Sequence, residues 1–251
     1  MLRVEGLSRA FGGVEALVAL DLDVAEGEVL GLIGPNGSGK TTLFNVLTGV
    51  YPADAGRIKL RGRDVTNRRP PDIIRAGVAR TFQNLRLYRR MTVFDNVWAA
   101  QHSLPEIGLR GLLFARRDGE RRRRRDVEML LEQTGLADRA DTLAANLPLP
   151  DQRRLELARA LARAPALLLL DEPAGGMTPA ETADMAALIR EVAAPGRTCI
   201  VIEHKMDMLS GFCQRMCVLN FGRKIAEGPC DEVLHNAEVL KAYLGADDAD
   251  A

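Results

Sequence analysis

No apolar run in this chain approaches the ~18–20 residues that a bilayer-crossing helix requires, although hydrophobic residues make up 47% of it. Charge of one sign is not in excess: Lys and Arg number 34, and Asp and Glu number 34. That balance gives the chain as a whole no pull on nucleic acid, and no nucleic-acid partner is expected. The first residues lack a positive start followed by an apolar stretch, so no secretory leader is expected. Histidine is confined to His102, His204 and His235. Cysteine is confined to Cys199, Cys213, Cys217 and Cys230, with no C-x-x-C pair. Cys213 and Cys217 share helical i, i+4 spacing, but no histidine lies near them to complete a zinc site. Buried, reduced thiols are the expectation, in keeping with the cytosol.

The strongest positive feature is Val29–Ile33 running into Gly34, Pro35, Asn36, Gly37, Ser38, Gly39, Lys40, Thr41 and Thr42. An apolar strand, a glycine-rich turn and a helix start match G-x-x-x-x-G-K-[ST] at every fixed position. Gly34, Gly37 and Gly39 let the backbone turn with positive φ, so successive N–H groups face an anion. The helix that begins near Lys40 adds its positive dipole end at the same point. Lys40 is expected to reach the β- and γ-phosphates of a nucleotide, and the Thr41 hydroxyl to ligate Mg²⁺.

Strand and helix patterns alternate along 251 residues, a length that suits one α/β domain carrying an inserted subdomain. Strands are predicted at Leu2–Gly6, Val29–Ile33, Arg57–Leu60, Val78–Phe82, Ala166–Leu170, Thr198–Ile202 and Met216–Phe221. Helices are predicted at Thr41–Thr48, around Pro71–Ala76, and at Val93–His102, Asp126–Thr134, Gln152–Ala162, Pro179–Ala193 and Asp231–Leu244. The all-leucine run Leu167–Leu170 suits a strand covered on both faces of a parallel sheet. Residues 87–159 lack strand-like alternation and are rich in arginine and helix formers. They are expected to form a helical subdomain inserted into a core of residues 1–86 and 160–244. The small, acidic tail 245–251 is expected to be disordered.

That leucine run ends in Asp171–Glu172–Pro173, which places two carboxylates where parallel strands deliver their ligands. Asp171 is expected in the Mg²⁺ shell, and Glu172 as the general base that polarises an attacking water. Gln83 and His204 also follow predicted core strands. By position alone each is either a site residue or an ordinary surface residue.

At this point the arrangement resembles an ABC transporter ATPase subunit over essentially the whole chain, and most closely those of branched-chain (hydrophobic) amino-acid importers. The residues carrying the closer match are Phe11–Val14, Ala79–Asn84, Met91–Val97, Asp151–Glu156, Val201–His204 and Lys241–Gly245. The resemblance implies an α/β P-loop NTPase fold: a RecA-like core, an inserted helical subdomain and a small antiparallel β-subdomain near the N-terminus. It implies ATP and Mg²⁺ as cofactors, with Phe11 stacking on adenine, Gln83 touching Mg²⁺ and signalling to membrane subunits, and His204 contacting the γ-phosphate. The implied partners are a second ABC ATPase subunit, membrane permease subunits and, indirectly, an extracytoplasmic solute-binding protein. The implied location is the cytoplasmic face of the inner (plasma) membrane, as a peripheral subunit.

One stretch departs from the family. Where such subunits carry Leu-Ser-x-Gly-x before Gln-Arg-Arg, this chain reads Leu147–Pro148–Leu149–Pro150–Asp151. Pro148 has neither hydroxyl nor N–H, and Pro150 removes an N–H and glycine's backbone freedom. The donors that reach a partner-held γ-phosphate are therefore missing, and one composite site of a heterodimer is expected to be degenerate. Thr178 stands where the family has Asp or Asn. The arginine cluster Arg116, Arg117 and Arg121–Arg125 is read as a solvated helix face paired with Glu120, Asp126 and Glu128, the alternative being a surface for anionic lipid headgroups or nucleic acid. Two other functions fit fewer of these features: a non-transport ABC ATPase acting on nucleic acid or ribosomes through that cluster, and a weakly hydrolysing regulatory subunit.

Overall fold

Every residue of Val29–Ile33, Leu167–Asp171 and Thr198–Ile202 is buried. Such runs of branched side chains without alternation are stable only as strands covered on both faces. The computed structural model, which describes residues 1–101, 118–204 and 206–247, places them side by side. In chain order the elements are β1 (Leu2–Phe11), β2 (Val14–Val24), β3 (Val29–Ile33), α1 (Lys40–Leu47), β4 (Ala55–Leu60), β5 (Arg63–Asp64), α2 (Pro70–Arg75), β6 (Val78–Arg80), α3 (Val93–Gln101), α4 (Asp118–Gln133), α5 (Leu149–Leu161), β7 (Leu167–Asp171), α6 (Pro179–Leu188), β8 (Thr198–Ile202), α7 (Met206–Ser210), β9 (Arg215–Asn220), β10 (Arg223–Gly228), α8 (Cys230–Leu234) and α9 (Ala237–Asp247).

The first of two units comprises Met1–Arg80, Ala166–Glu172 and Ala194–Ala251. Its larger sheet has the order β10-β9-β3-β8-β7-β6, parallel throughout except for β10 at one edge. The smaller sheet, β2-β1-β4-β5, is antiparallel. In β1 and β2 the buried residues recur with the period of two that a half-buried strand shows: Leu2 and Val4, then Leu20, Leu22 and Val24. The core includes Phe44 of α1, fully buried among Leu7, Leu17, Leu30 and Leu169. The fold is thus the expected α/β core with a small antiparallel sheet.

The second unit comprises Thr81–Pro165 and Pro173–Ala193. Its apolar core joins Val93 and Val97 of α3, Val127 and Leu131 of α4, and Leu155 and Ala158 of α5. Each helix contributes residues at i, i+3 or i+4, the spacing of a single helical face. Asn96 is fully buried yet satisfied: Oδ1 accepts from Tyr88 N–H at 2.9 Å, and Nδ2 donates to Tyr88 and Thr92 carbonyls at 3.0 and 2.9 Å. It ties the preceding loop to α3. On α4 the arginines do face solvent, and Arg124 pairs with Glu128 at 3.1 Å while lying over the Phe94 ring. Arg116, Arg117 and His102 lie outside the described residues. Among the described residues no helix is long and apolar enough to cross a membrane.

Several element boundaries differ from those predicted, each for a local reason. β1 runs on to Phe11, and β2 and β10 are strands that the sequence reading did not contain. The strand predicted to reach Phe82 stops at Arg80, because Phe82 N–H donates to Glu156 Oε1 at 3.1 Å instead of to a neighbouring strand. The helix predicted over Asp231–Leu244 is two helices. Asn236 Oδ1 accepts from Glu238 N–H at 2.8 Å and so caps the second of them. That helix continues through Asp247, into the segment expected to be disordered, and residues 248–251 lie outside the described residues. The helix predicted over Pro179–Ala193 is α-helical to Leu188 and ends in a π-helical turn, Ile189–Ala193.

Candidate functional site

The turn between β3 and α1 is held at very close quarters. A Cβ on Gly34, at φ 151°, would lie 2.1 Å from the Leu219 carbonyl oxygen, and one on Gly39, at φ 108°, would lie 2.5 Å from that of Ala16. No other residue fits either position without moving backbone. Gly39 is the N-cap of α1 and offers no side chain, so the first turn's N–H groups face outward uncapped. Lys40, 6% exposed, donates through Nζ to the carbonyls of Gly34 at 2.6 Å and Pro35 at 2.9 Å. Burial lowers its pKa from the usual lysine value, while the carboxylates of Glu172 and Asp171 pull it back up. Thr41 is exposed beside it.

Asp171 closes β7 with 2% exposure, and its Oδ2 accepts from Arg80 Nη2 at 2.7 Å. Burial raises its pKa, and the Arg80 hydrogen bond and charge oppose that rise. The next residue, Glu172, sits at φ 47°, a left-handed backbone that bulky residues adopt at a cost of about 1–3 kcal/mol. Its N–H donates to the Ile202 carbonyl at 2.9 Å, which pins the turn to β8. The side chain then meets His204, whose Nε2 lies 3.0 Å from Oε1. His204 keeps 43% of its side chain exposed, against 19% for Glu172. One end of the parallel strands thus gathers an ammonium, two carboxylates and an imidazole. A carboxylate held by an imidazole in this way can orient and deprotonate a water. The donors available to a metal, the Asp171 carboxylate and the Thr41 hydroxyl, are hard oxygens that suit Mg²⁺.

Phe11 lies at the β1–β2 turn. Its ring meets Tyr51 edge-on with centroids 5.1 Å apart, and the Arg9 guanidinium stands 4.6 Å from its centroid. Gln83 belongs to the second unit, exposed just beyond β6. The sequence reading gave no role to Arg80, Arg9 or Tyr51. An arginine closing an otherwise apolar strand was the available signal for the first, and an aromatic just past the end of α1 for the last.

Also in the second unit, Pro148 is the N-cap of α5 without a side-chain cap bond, and Pro150 lies in its first turn. Proline tolerates that place because its missing N–H would be unpaired there anyway. Asp151 occupies the same turn, 16% exposed, with Oδ2 3.1 Å from Arg139 Nε. A carboxylate already sits where this helix end would otherwise attract an anion. Arg153 follows, reaching the carbonyls of Phe82 and Gly175 at 3.3 Å each. Thr178 caps α6: its Oγ1 accepts from Glu181 N–H at 3.4 Å, and the Glu181 carboxylate accepts from Thr178 N–H at 2.8 Å. Thr, Asn and Asp all serve as N-caps, so the departure at 178 preserves the local geometry.

Comparison with known proteins gives one consistent set of relatives. Residues 17–175 match the family described as ABC transporter, and residues 223–249 match branched-chain amino acid ATP-binding cassette transporter. The chain is 43% identical to the high-affinity branched-chain amino acid transport ATP-binding protein LivG of Salmonella typhimurium, over 98% of each chain. It is 40% identical to BraF of Pseudomonas aeruginosa, a protein of the same description, again over 98% of each. Among solved structures, an ATP-binding cassette of an ABC transporter in its ADP conformation superposes with a TM-score of 0.85 at 32% identity, covering 98% of both chains.

Proposed function

The chain belongs to the ATP-binding cassettes of ABC transporters, with the C-terminal segment of the branched-chain amino acid group, and from that membership we propose that it powers uptake of branched-chain or other hydrophobic amino acids through membrane permease subunits. The observation that carries the proposal is the convergence of Lys40, Asp171, Glu172 and His204 at one end of the parallel strands. The loop's N–H groups and Lys40 bind and orient the nucleotide's phosphates. Asp171 and Thr41 would hold Mg²⁺, and the metal would supply neutralisation of phosphate charge. Glu172, oriented by His204, aligns a water with the γ-phosphorus and accepts its proton as the in-line attack proceeds. Phe11 offers an aromatic face to adenine, a contact that binds a purine without reading it.

The subunit would work at the cytoplasmic face of the inner membrane as half of a heterodimer, with a solute-binding protein acting on the permease from outside. Pro148, Pro150 and Asp151 support an asymmetric pair. This chain's own phosphate loop keeps its chemistry, whereas the surface it offers to its partner's nucleotide lacks the serine and glycine donors. Losing charge-assisted bonds of roughly 1.5–3 kcal/mol each is enough to disable that half. The test is amino-acid uptake and ATP turnover by the assembled complex in proteoliposomes, with the phosphate-loop lysine replaced in one ATPase subunit at a time. Loss of both with Lys40→Ala, and retention with the partner's lysine replaced, is expected. The opposite pattern reverses the assignment of sites.

A further inference from the structure

Arg80 is the last residue of β6, and its side chain is 6% exposed. A buried guanidinium is a demanding thing to accommodate unless every arm is matched. Here its two terminal nitrogens reach two different elements. Nη2 donates to Asp171 Oδ2 at 2.7 Å, at the end of β7. Nη1 donates to Asn45 Oδ1 on α1 at 2.6 Å, with Oγ1 of Thr48, the C-cap of that helix, at 3.5 Å. The plane of the group is steadied by the Phe44 ring, whose centroid lies 5.4 Å from Cζ. Asn45 stands four residues beyond Thr41 on the same face of α1, and Thr48 at the C-cap continues that face. A single rigid fork therefore spans from the Asp171 carboxylate to the helix face that carries Thr41.

We propose that Arg80 is a positioning residue for magnesium: it fixes the orientation of the Asp171 carboxylate and its separation from the Thr41 hydroxyl. This rests on the assignment of Asp171 and Thr41 to the metal. Mg²⁺ demands near-ideal octahedral geometry with oxygens at about 2.0–2.1 Å, so small errors in ligand placement weaken it sharply. Ca²⁺ accepts variable geometry and longer bonds of about 2.3–2.6 Å. A residue that sets ligand separation should therefore matter more for Mg²⁺ than for Ca²⁺. A residue that only fills space should affect both alike.

The experiment is equilibrium binding of a fluorescent ATP analogue to the full chain in Mg²⁺, in Ca²⁺ and in EDTA. Thermal melts of each variant establish that it is folded. Arg80→Gln and Arg80→Lys are expected to weaken binding in Mg²⁺ by about 10-fold or more, the scale for groups that orient metal ligands. Binding in EDTA should be unchanged, and the loss in Ca²⁺ smaller. Asn45→Ala, which removes the α1 arm alone, should show the same pattern more weakly and carries the test if the Arg80 variants do not fold. Equal losses in all three conditions, or none in Mg²⁺, would overturn the proposal. Asp171→Asn separates the two levels of inference. If it leaves the Mg²⁺ dependence intact, the metal assignment itself fails. If it abolishes that dependence while the Arg80 and Asn45 variants do not disturb it, only the role of Arg80 falls.

Discussion

His204 Nε2 stands 3.0 Å from Glu172 Oε1, and the two residues reach that position from neighbouring strands whose ends are in register, Asp171 opposite Ile202. The left-handed backbone at Glu172 turns its carboxylate toward the imidazole instead of onward along β7. The pair is a product of sheet register as much as of residue type.

Glu172→Gln should therefore keep ATP affinity while turnover falls by about 10²-fold or more, the usual scale for loss of a general base. Lys40→Ala should instead lose phosphate binding. Nucleotide titration and phosphate release by the assembled complex check both. Wild-type turnover with Glu172→Gln would remove Glu172 from the chemistry.

The purified single chain should be a poor ATPase, because a homodimer would present Pro148, Pro150 and the Asp151 carboxylate to both nucleotides. Electrostatic stabilisation of the transferring phosphoryl group is the main catalytic term in such enzymes. The double variant Pro148→Ser with Pro150→Gly should raise single-chain turnover, and adding Asp151→Gln should raise it further. Brisk turnover by the unaltered chain alone would count against the degenerate surface.

Thr178→Ala should destabilise the chain by about 1 kcal/mol, the typical worth of an N-cap. The Thr178 backbone N–H, followed by its hydroxyl, holds the Glu181 carboxyl below its ordinary value of 4.5. A depressed acid contributes stability above that ordinary value, and the contribution is lost as pH falls through the folded value. The Ala variant keeps the backbone donor and loses only the hydroxyl's share, so acid melts should show the gap between wild type and Thr178→Ala narrowing, without closing, below about pH 4.5. A constant gap down to pH 3 would argue that the box does not form.

Burial pushes the thiols of Cys199 and Cys217 up to about 12, and raises those of Cys213 and Cys230 as well. The thiolate is the reactive form, so alkylation of the native protein at pH 8 should be slow, and all four cysteines should react once it is unfolded. For acids raised in the folded state the sign is the reverse of that for Glu181. Stability should be flat through neutral pH and decline as pH rises from the ordinary thiol value of 9.0 toward about 12. Rapid labelling of the folded chain would contradict the burial.

The phosphate loop and the strands beneath it were legible because their determinants are local: β3, β7 and β8 are runs buried on both faces, and the loop is a contiguous string of residues. The antiparallel strands were harder. β10 is half-exposed, with Arg223, Lys224 and Glu227 interrupting its apolar residues, and it exists because β9 lies beside it. Arg80 could not be assigned a role, since Asp171 is 91 residues away and Asn45 is 35. The break at Asn236 was readable in principle, for an asparagine before Glu238 and Val239 is a helix-start signal, but helical periodicity continues across it.

The ammonium of Lys40 has its own acceptors in the loop, the carbonyls of Gly34 and Pro35. Engagement of a terminal phosphate by Lys40 would therefore be a substitution of partners and not the rescue of an orphaned charge. That narrows the affinity gap between a nucleotide that reaches Lys40 and one that does not, because each bond gained replaces one surrendered. It also gives the loop an internal competitor for its product. If Lys40 holds the terminal phosphate, then once that phosphate is severed Lys40 would return to two carbonyls within its own segment, and the reaction's end state would be loosened by the same atoms that shaped the loop.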